Sequence, residues 1–364
     1  MLKKNHTDIT KKGFTLVELL AVIIILGIIA LITFPIVDKS IENSKQAALE
    51  RSIDSILEAA HNYSTQNSLG YSTEENVIFL NELKSSGFLE IETINPVTNK
   101  EMTGCVLYKW DEINNQYVFR YDEECKNHTP VSFKDDSWKT IANAVKNGDM
   151  SKYKVGDTKE VTLTGEYAGT YTVRIANITT PSECSNNEFS QTACGFVIEF
   201  VDIITLRKIN STLTNIGGYP ASELYIFLKN DIYNSLPEDL KNVIIDTKVI
   251  SSHGSGDLEN FITNDKLYLL ATKEIYGKNG TSNIISNDTS DNNTRQLDYY
   301  EMNNVSTSNY KGAIKRHQEL ESYWWTRSAF AHLNTAFYRI MLDGNWNDPH
   351  AIDINGVAPA FRIG

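Results

Sequence analysis

Cysteine is scarce in this chain, with 4 in 364 residues, and so are proline, with 8, and histidine, with 7. None of the cysteines has Cys-x-x-Cys spacing and none follows Cys194, so the usual zinc-ribbon patterns are excluded. No phosphate-cradling glycine loop, Ser-His-Asp spacing or His/Cys/Asp/Glu cluster stands out. Enzymatic activity, a metal and a cofactor are therefore not expected. Positive charge is short as well: 34 Lys and Arg face 46 Asp and Glu, for a net charge of −12. An acidic chain rich in Asn and Ser argues against nucleic acid as a partner. The only basic cluster (Lys3, Lys4, Lys11, Lys12) sits at the N-terminus, where it fits the positive-inside rule for a membrane segment. No internal repeat is present.

One long apolar run exists. It begins in Lys11-Lys12-Gly13-Phe14-Thr15-Leu16-Val17-Glu18 and continues to Phe34-Pro35, with Glu18 as its only charge. A spanning helix needs about 20 mostly apolar residues, which Phe14 to Phe34 supplies. A removable secretory signal would be shorter and end in small residues, so the run is expected to remain in the mature protein. An acid inside a membrane helix costs at least about 2.5–3.5 kcal/mol, so Glu18 calls for a functional reason. Cutting between Gly13 and Phe14 would create an amine one helical turn from Glu18, and a neighbouring subunit's amine could neutralise it.

These residues resemble the class III signal of type IV pilins and pseudopilins. The likeness rests on the glycine before the cut, Phe14 as the new first residue, Glu18 at the fifth mature position and Pro35 at the twenty-second. It implies a leader of residues 1–13, cleavage by prepilin peptidase, N-methylation of Phe14, and docking of Glu18 onto other pilin subunits. The precursor would cross the cytoplasmic membrane once, with its C-terminal part outside, and would end in a surface filament.

Apolar residues at threes and fours (Ile41, Ala48, Leu49, Ile53, Ile56, Ala60) predict that the helix continues to about Asn62. The helical segment is set at residues 14–66 and a small globular domain at 67–131. Asn76 to Gly87 reads as a short helix. Cys105–Trp110 and Gln116–Tyr121 read as the strands of a hairpin. In an extracellular chain the even cysteine count favours disulfides within the two sequence-local pairs, Cys105 with Cys125 and Cys184 with Cys194. Each would stabilise by roughly 3 kcal/mol in the chain-entropy model. A long helix followed by a small antiparallel sheet is the pilin arrangement, so the fold class is α+β.

The second domain, 132–364, is expected to open with a helix capped by Ser137, followed by strands at 160–164, 171–175 and 195–201 and a helix over 221–236. His253 and Asp257, in Ser-Ser-His-Gly-Ser-Gly-Asp, read as parts of a polar turn rather than as ligands. Tyr323-Trp-Trp-Thr-Arg-Ser328, Gly217–Leu228 and the ending Gly356-Val-Ala-Pro-Ala-Phe-Arg362 resemble bacterial C-type-lectin-like domains, which share a fold with formylglycine-generating enzymes.

Between those motifs another shortage appears. Ala329 to Asn355 holds no Lys, Glu or Gln, although all three are frequent just upstream. Codons derived from AAC or AAT by substitution at the adenines reach every residue of this stretch except Met341 and Trp346. The segment thus resembles the variable region of a diversity-generating retroelement target. That likeness implies an exposed face built from Phe330, His332, Leu333, Asn334, Thr335, Phe337, Tyr338, Arg339, Ile340, Leu342, Asp343, Asn345, Asn347, Asp348, His350, Ile352, Asp353 and Ile354. Trp324, Trp325, Arg327, Trp346, Pro359 and Phe361 would hold the scaffold. The function expected is a surface pilin-like subunit that displays a lectin-like domain binding a protein or glycan. The alternative is a structural minor pseudopilin of a secretion or DNA-uptake machine.

Overall fold

A 51-residue helix, α1 (Leu16–Gln66), runs without interruption through Gly27 and Pro35. In this computed structural model residues 15–67, 73, 75–125, 129–277 and 288–364 are described, the side chains of 32 and 34–36 excepted. Thr15 caps α1: its hydroxyl accepts from the Glu18 amide, while the Glu18 carboxylate accepts from the Thr15 amide. The first half of the helix is apolar all round and uncovered, from Leu16, 83% exposed, to Leu31, 78% exposed. In the second half the spacing becomes amphipathic, and Ile56, Ala59, Ala60 and Tyr63 are buried.

That buried stripe packs on a three-stranded antiparallel sheet of β1 (Asn76–Phe79), β2 (Cys105–Asp111) and β3 (Gln116–Asp122). Strand alternation sorts its side chains. Ile78, Val106 and Tyr108 join the helix core, whereas Val77, Cys105 and Leu107 cluster with Cys125 on the other side. The Cys105–Cys125 disulfide lies in that second cluster, with 6.0 Å between the Cα atoms. The helix expected over 76–87 is shorter than read. Asn76–Phe79 pairs with β2 as a strand because Val77 and Ile78 each find a buried face there, and only α2 (Leu80–Ser85) is helical.

The chain divides into two compact units between Asn127 and His128. The second unit opens with α3 (Trp138–Asn147), whose first turn is capped by the Ser137 hydroxyl accepting from the Thr140 amide at 3.1 Å. Then follow β4 (Thr158–Leu163), β5 (Gly169–Asn177), β6 (Val197–Phe200) and β7 (Thr205–Arg207). The helical stretch over 223–235 is α4 (Glu223–Phe227), a π-turn at Leu228–Ile232 and α5 (Tyr233–Ser235), and α6 (Glu238–Lys241) comes after it. Next come β8 (Thr247–Ser251), β9 (Phe261–Asp265), α7 (Thr272–Tyr276) and α8 (Asp298–Met302). The chain ends with β10 (Lys315–His317), β11 (Leu320–Ser322), β12 (Trp324–Ala329), β13 (Phe337–Ile340), β14 (Trp346–Asn347), β15 (Asn355–Val357) and β16 (Ala360–Arg362).

Two sheets carry this unit. One has the order β14-β13-β12-β15-β7 and the other β16-β6-β5-β4, beside the hairpins β8-β9 and β10-β11. The C-terminal strand β16 pairs with β6, with Phe361 opposite Ile198, so the end of the chain closes on an early strand. Every residue of β12 is buried. The fold is thus mixed α+β with small, mostly antiparallel sheets, β12 and β15 being the parallel pair, and Cys184–Cys194 forms the second disulfide.

Candidate functional site

At the N-terminus, α1 offers an apolar surface with one acid. Glu18 is exposed, and its Oε2 accepts from the Thr15 amide at 2.8 Å and the Thr15 hydroxyl at 2.9 Å. The carboxylate therefore caps its own helix. Gly13 and Phe14 lie outside the described residues, as does the side chain of Pro35. Among the described residues no helix is long and apolar enough to cross a membrane. Part of the span expected over Phe14–Phe34, namely residue 14 and the side chains of 32 and 34, lies outside the described residues.

In the second unit the C-terminal segment is organised by what lies beneath it. Arg327, on β12, is wholly buried yet fully paired. Its guanidinium donates to both carboxylate oxygens of Glu274, at 2.6 and 2.7 Å, and to the carbonyls of Leu269 and Ile250. Glu274 also accepts from the Ala271 amide at the start of α7, and from the hydroxyls of Thr192 and Thr294. A buried charge is tolerated only when paired in this way. Trp324 and Trp325 anchor the same strand through their indole N–H groups, which donate to the carbonyls of Ala313 and Arg207.

The residues expected on a ligand face separate into three groups. His332, Leu333, Asn334, Leu342, Asp343, His350 and Ile354 are exposed. Phe330, Thr335, Arg339, Asn345, Asn347, Asp348, Ile352 and Asp353 are half-buried; Arg339 is held by Asn347 at 2.8 Å and Asn355 at 3.0 Å, and lies over the Tyr323 ring. Phe337, Tyr338 and Ile340 are a correction: each is 0% exposed and belongs to the core. β13 is covered on both faces, so Tyr338 packs edge-on against Phe330 and Trp346 rather than meeting solvent. Of the expected scaffold residues, Trp324, Trp325, Arg327 and Phe361 are fully buried, and Trp346 is half-buried.

The sequence reading passed over Asn215, which supports this surface. Asn215 reaches the loop from Phe330 to Ala336, and Asp257 accepts from the Gly217 amide at 2.8 Å. The polar turn reading of His253 and Asp257 agrees with their local bonds, since His253 Nδ1 lies 2.8 Å from the Gly254 carbonyl. Among the described residues no group of three or more His, Cys, Asp or Glu side chains is placed to hold a metal ion.

Comparison with known families matches residues 10–34 to the prokaryotic N-terminal methylation motif. The N-terminus is a type IV pilin-like signal. A signal of this kind implies processing by prepilin peptidase and assembly with pilin subunits. Residues 197–364 match a family described as a domain of unknown function, DUF6273. No curated protein and no solved structure matches the chain.

Proposed function

We propose that this chain is a non-enzymatic type IV pilin-like subunit that displays its second unit, a C-type-lectin-like domain, to bind a protein or glycan at the cell surface. The observation that carries the reading is the pairing of the pilin-like signal with an apolar half-helix that no described residue covers. Exposed aliphatic rows of this length are removed from water either by lipid or by other copies of the same helix. The precursor uses the first, anchored once across the cytoplasmic membrane with both folded units outside. The filament uses the second, and Glu18 exchanges its Thr15 contacts for the amine of an adjacent Phe14.

Recognition falls to the C-terminal segment. Its exposed residues combine aliphatic, imidazole, amide and carboxylate groups on one short stretch of chain, and its residue types match adenine-directed rewriting of codons. The corrected face omits Phe337, Tyr338 and Ile340, whose burial requires them to stay apolar.

Glu18→Ala tests the assembly half. The variant should enter the membrane normally and yield no filaments by electron microscopy; normal filaments would refute the docking role. Nucleotide sequencing on both sides of the gene tests the recognition half. A near-copy of the 3′ end with adenines at the codons for His332, His350 and Asp348, beside a reverse transcriptase gene, is the expected result. Pilus assembly genes alone would favour a structural pseudopilin without a diversified face.

A further inference from the structure

We propose that Asn215, which lies outside the C-terminal segment, positions the loop from Phe330 to Ala336 and leaves its outer side chains, those of His332, Leu333 and Asn334, to determine specificity. Asn215 is 0% exposed. Its amide Nδ2 donates to the carbonyls of Leu333 at 2.8 Å and Ala336 at 2.7 Å, with a longer contact to Phe330 at 3.3 Å. Its own backbone N–H donates to the Asn334 carbonyl at 2.7 Å. Three carbonyls on one side fix which amide atom faces them, because only the nitrogen can donate. The Oδ1 atom is thereby turned toward Gly254, and it has no hydrogen-bond partner among the described residues. A Cβ at position 254 would sit 2.1 Å from that oxygen, so the glycine makes the room in which the amide is held.

Each of these bonds ends on a main-chain atom of the loop. A backbone carbonyl belongs to every residue, so the clamp is indifferent to which side chains stand at 331–335. The remaining supports are of the same kind. The Phe330 amide donates to the Ala336 carbonyl at 3.1 Å and the Ala351 amide to the Thr335 carbonyl at 2.8 Å. The Ser252 hydroxyl serves both the amide and the carbonyl of Ala329, at 2.7 and 3.3 Å. Within 331–335 the one side-chain hydrogen bond among the described residues joins Thr335 to His350, at 3.2 Å. His332, Leu333 and Asn334 are exposed and make none. The specificity role rests on the recognition reading above, whereas the positioning role does not.

Amide hydrogen exchange on the full-length chain in detergent micelles, read by mass spectrometry over 324–352, tests the division. Asn215→Ala should speed exchange of Phe330, Phe337 and Ala351 by about tenfold or more, as expected for losing a buried hydrogen-bonding group, with Trp324–Arg327 unchanged. Asn215→Asp keeps the volume but cannot donate, so it should behave like Asn215→Ala; wild-type exchange in this variant would sink the clamp. Should Asn215→Ala fail to fold, Gly254→Ala decides, because it retains every donor and only displaces the amide. Unchanged loop exchange in Gly254→Ala would overturn the positioning role. The triple variant His332→Ser, Leu333→Ser, Asn334→Ser should stay within about threefold of the wild type, the loop's main-chain bonds being untouched. Loop exchange rising as far as in Asn215→Ala would show that these side chains hold the loop themselves and would end the specificity role.

Discussion

Arg327 and Glu274 illustrate how single residues carry this architecture. Both are completely buried, and their paired hydrogen bonds link the centre of β12 to the start of α7. Removing one partner of such a pair strands a charge in the core. Glu274→Ala should therefore cost about 3–5 kcal/mol of stability, seen as a lower urea midpoint with a retained slope. Gly344 plays a different part inside the segment proposed to vary. Its φ is +87°, and a Cβ there would stand 2.1 Å from the Tyr310 carbonyl oxygen. Gly344→Ala should destabilise by about 1–3 kcal/mol even though its neighbours Leu342 and Asp343 are exposed and replaceable. Thermal unfolding of Gly344→Ala beside Asp343→Ala checks the contrast.

Among elements, the packing of β5, β6, β10 and α8 depends on one buried carboxylate. Burial alone would push Glu199 up, but Arg174 at 2.8 Å and Lys315 at 2.7 Å outweigh it and hold the group down at about 2. Tyr300 donates a further bond at 2.8 Å. Because the folded value lies below the ordinary 4.5, the contribution is complete above pH 4.5 and is lost as pH falls toward about 2. Acid titration followed by tryptophan fluorescence should show this loss in the wild type. In Glu199→Gln, stability should already be lower at neutral pH and flatter across that window. The disulfides act on elements too. Cys184→Ser with Cys194→Ser should lower stability by about 3 kcal/mol, and reductant should then have no further effect on the second unit.

For the whole molecule, the division after Asn127 gives two units, each with its own core. Limited proteolysis between the units should release a fragment from about His128 onward that keeps its near-ultraviolet circular dichroism. A fragment with lost tertiary signal would mean the second core needs the first. The apolar half of α1 has no counterpart among the described residues, so solubility of the whole should depend on lipid, detergent or assembly, whereas the released fragment should stay soluble without them.

Periodicity and residue type were enough to read α1, the hairpin β2–β3, α3 with its Ser137 cap and both disulfide pairs, because each depends on neighbours close in sequence. The pilin-like signal was legible for the same reason, being a short contiguous pattern. The strand β1 was misread because Val77 and Ile78 suit a helix as well as a strand until β2 lies beside them. Burial of Phe337, Tyr338 and Ile340 was equally invisible: alternation assigns one face to solvent, and only the sheet order places β13 under cover on both sides. Asn215 and Glu199 looked like ordinary polar residues in the chain. Their roles come from partners distant in sequence, such as Lys315 for Glu199 and Ala336 for Asn215, and no local pattern encodes such meetings. The sequence determined α1, α3, the signal and the crosslinks, because each rests on neighbours close in the chain, while tertiary packing alone decided which C-terminal side chains face outward.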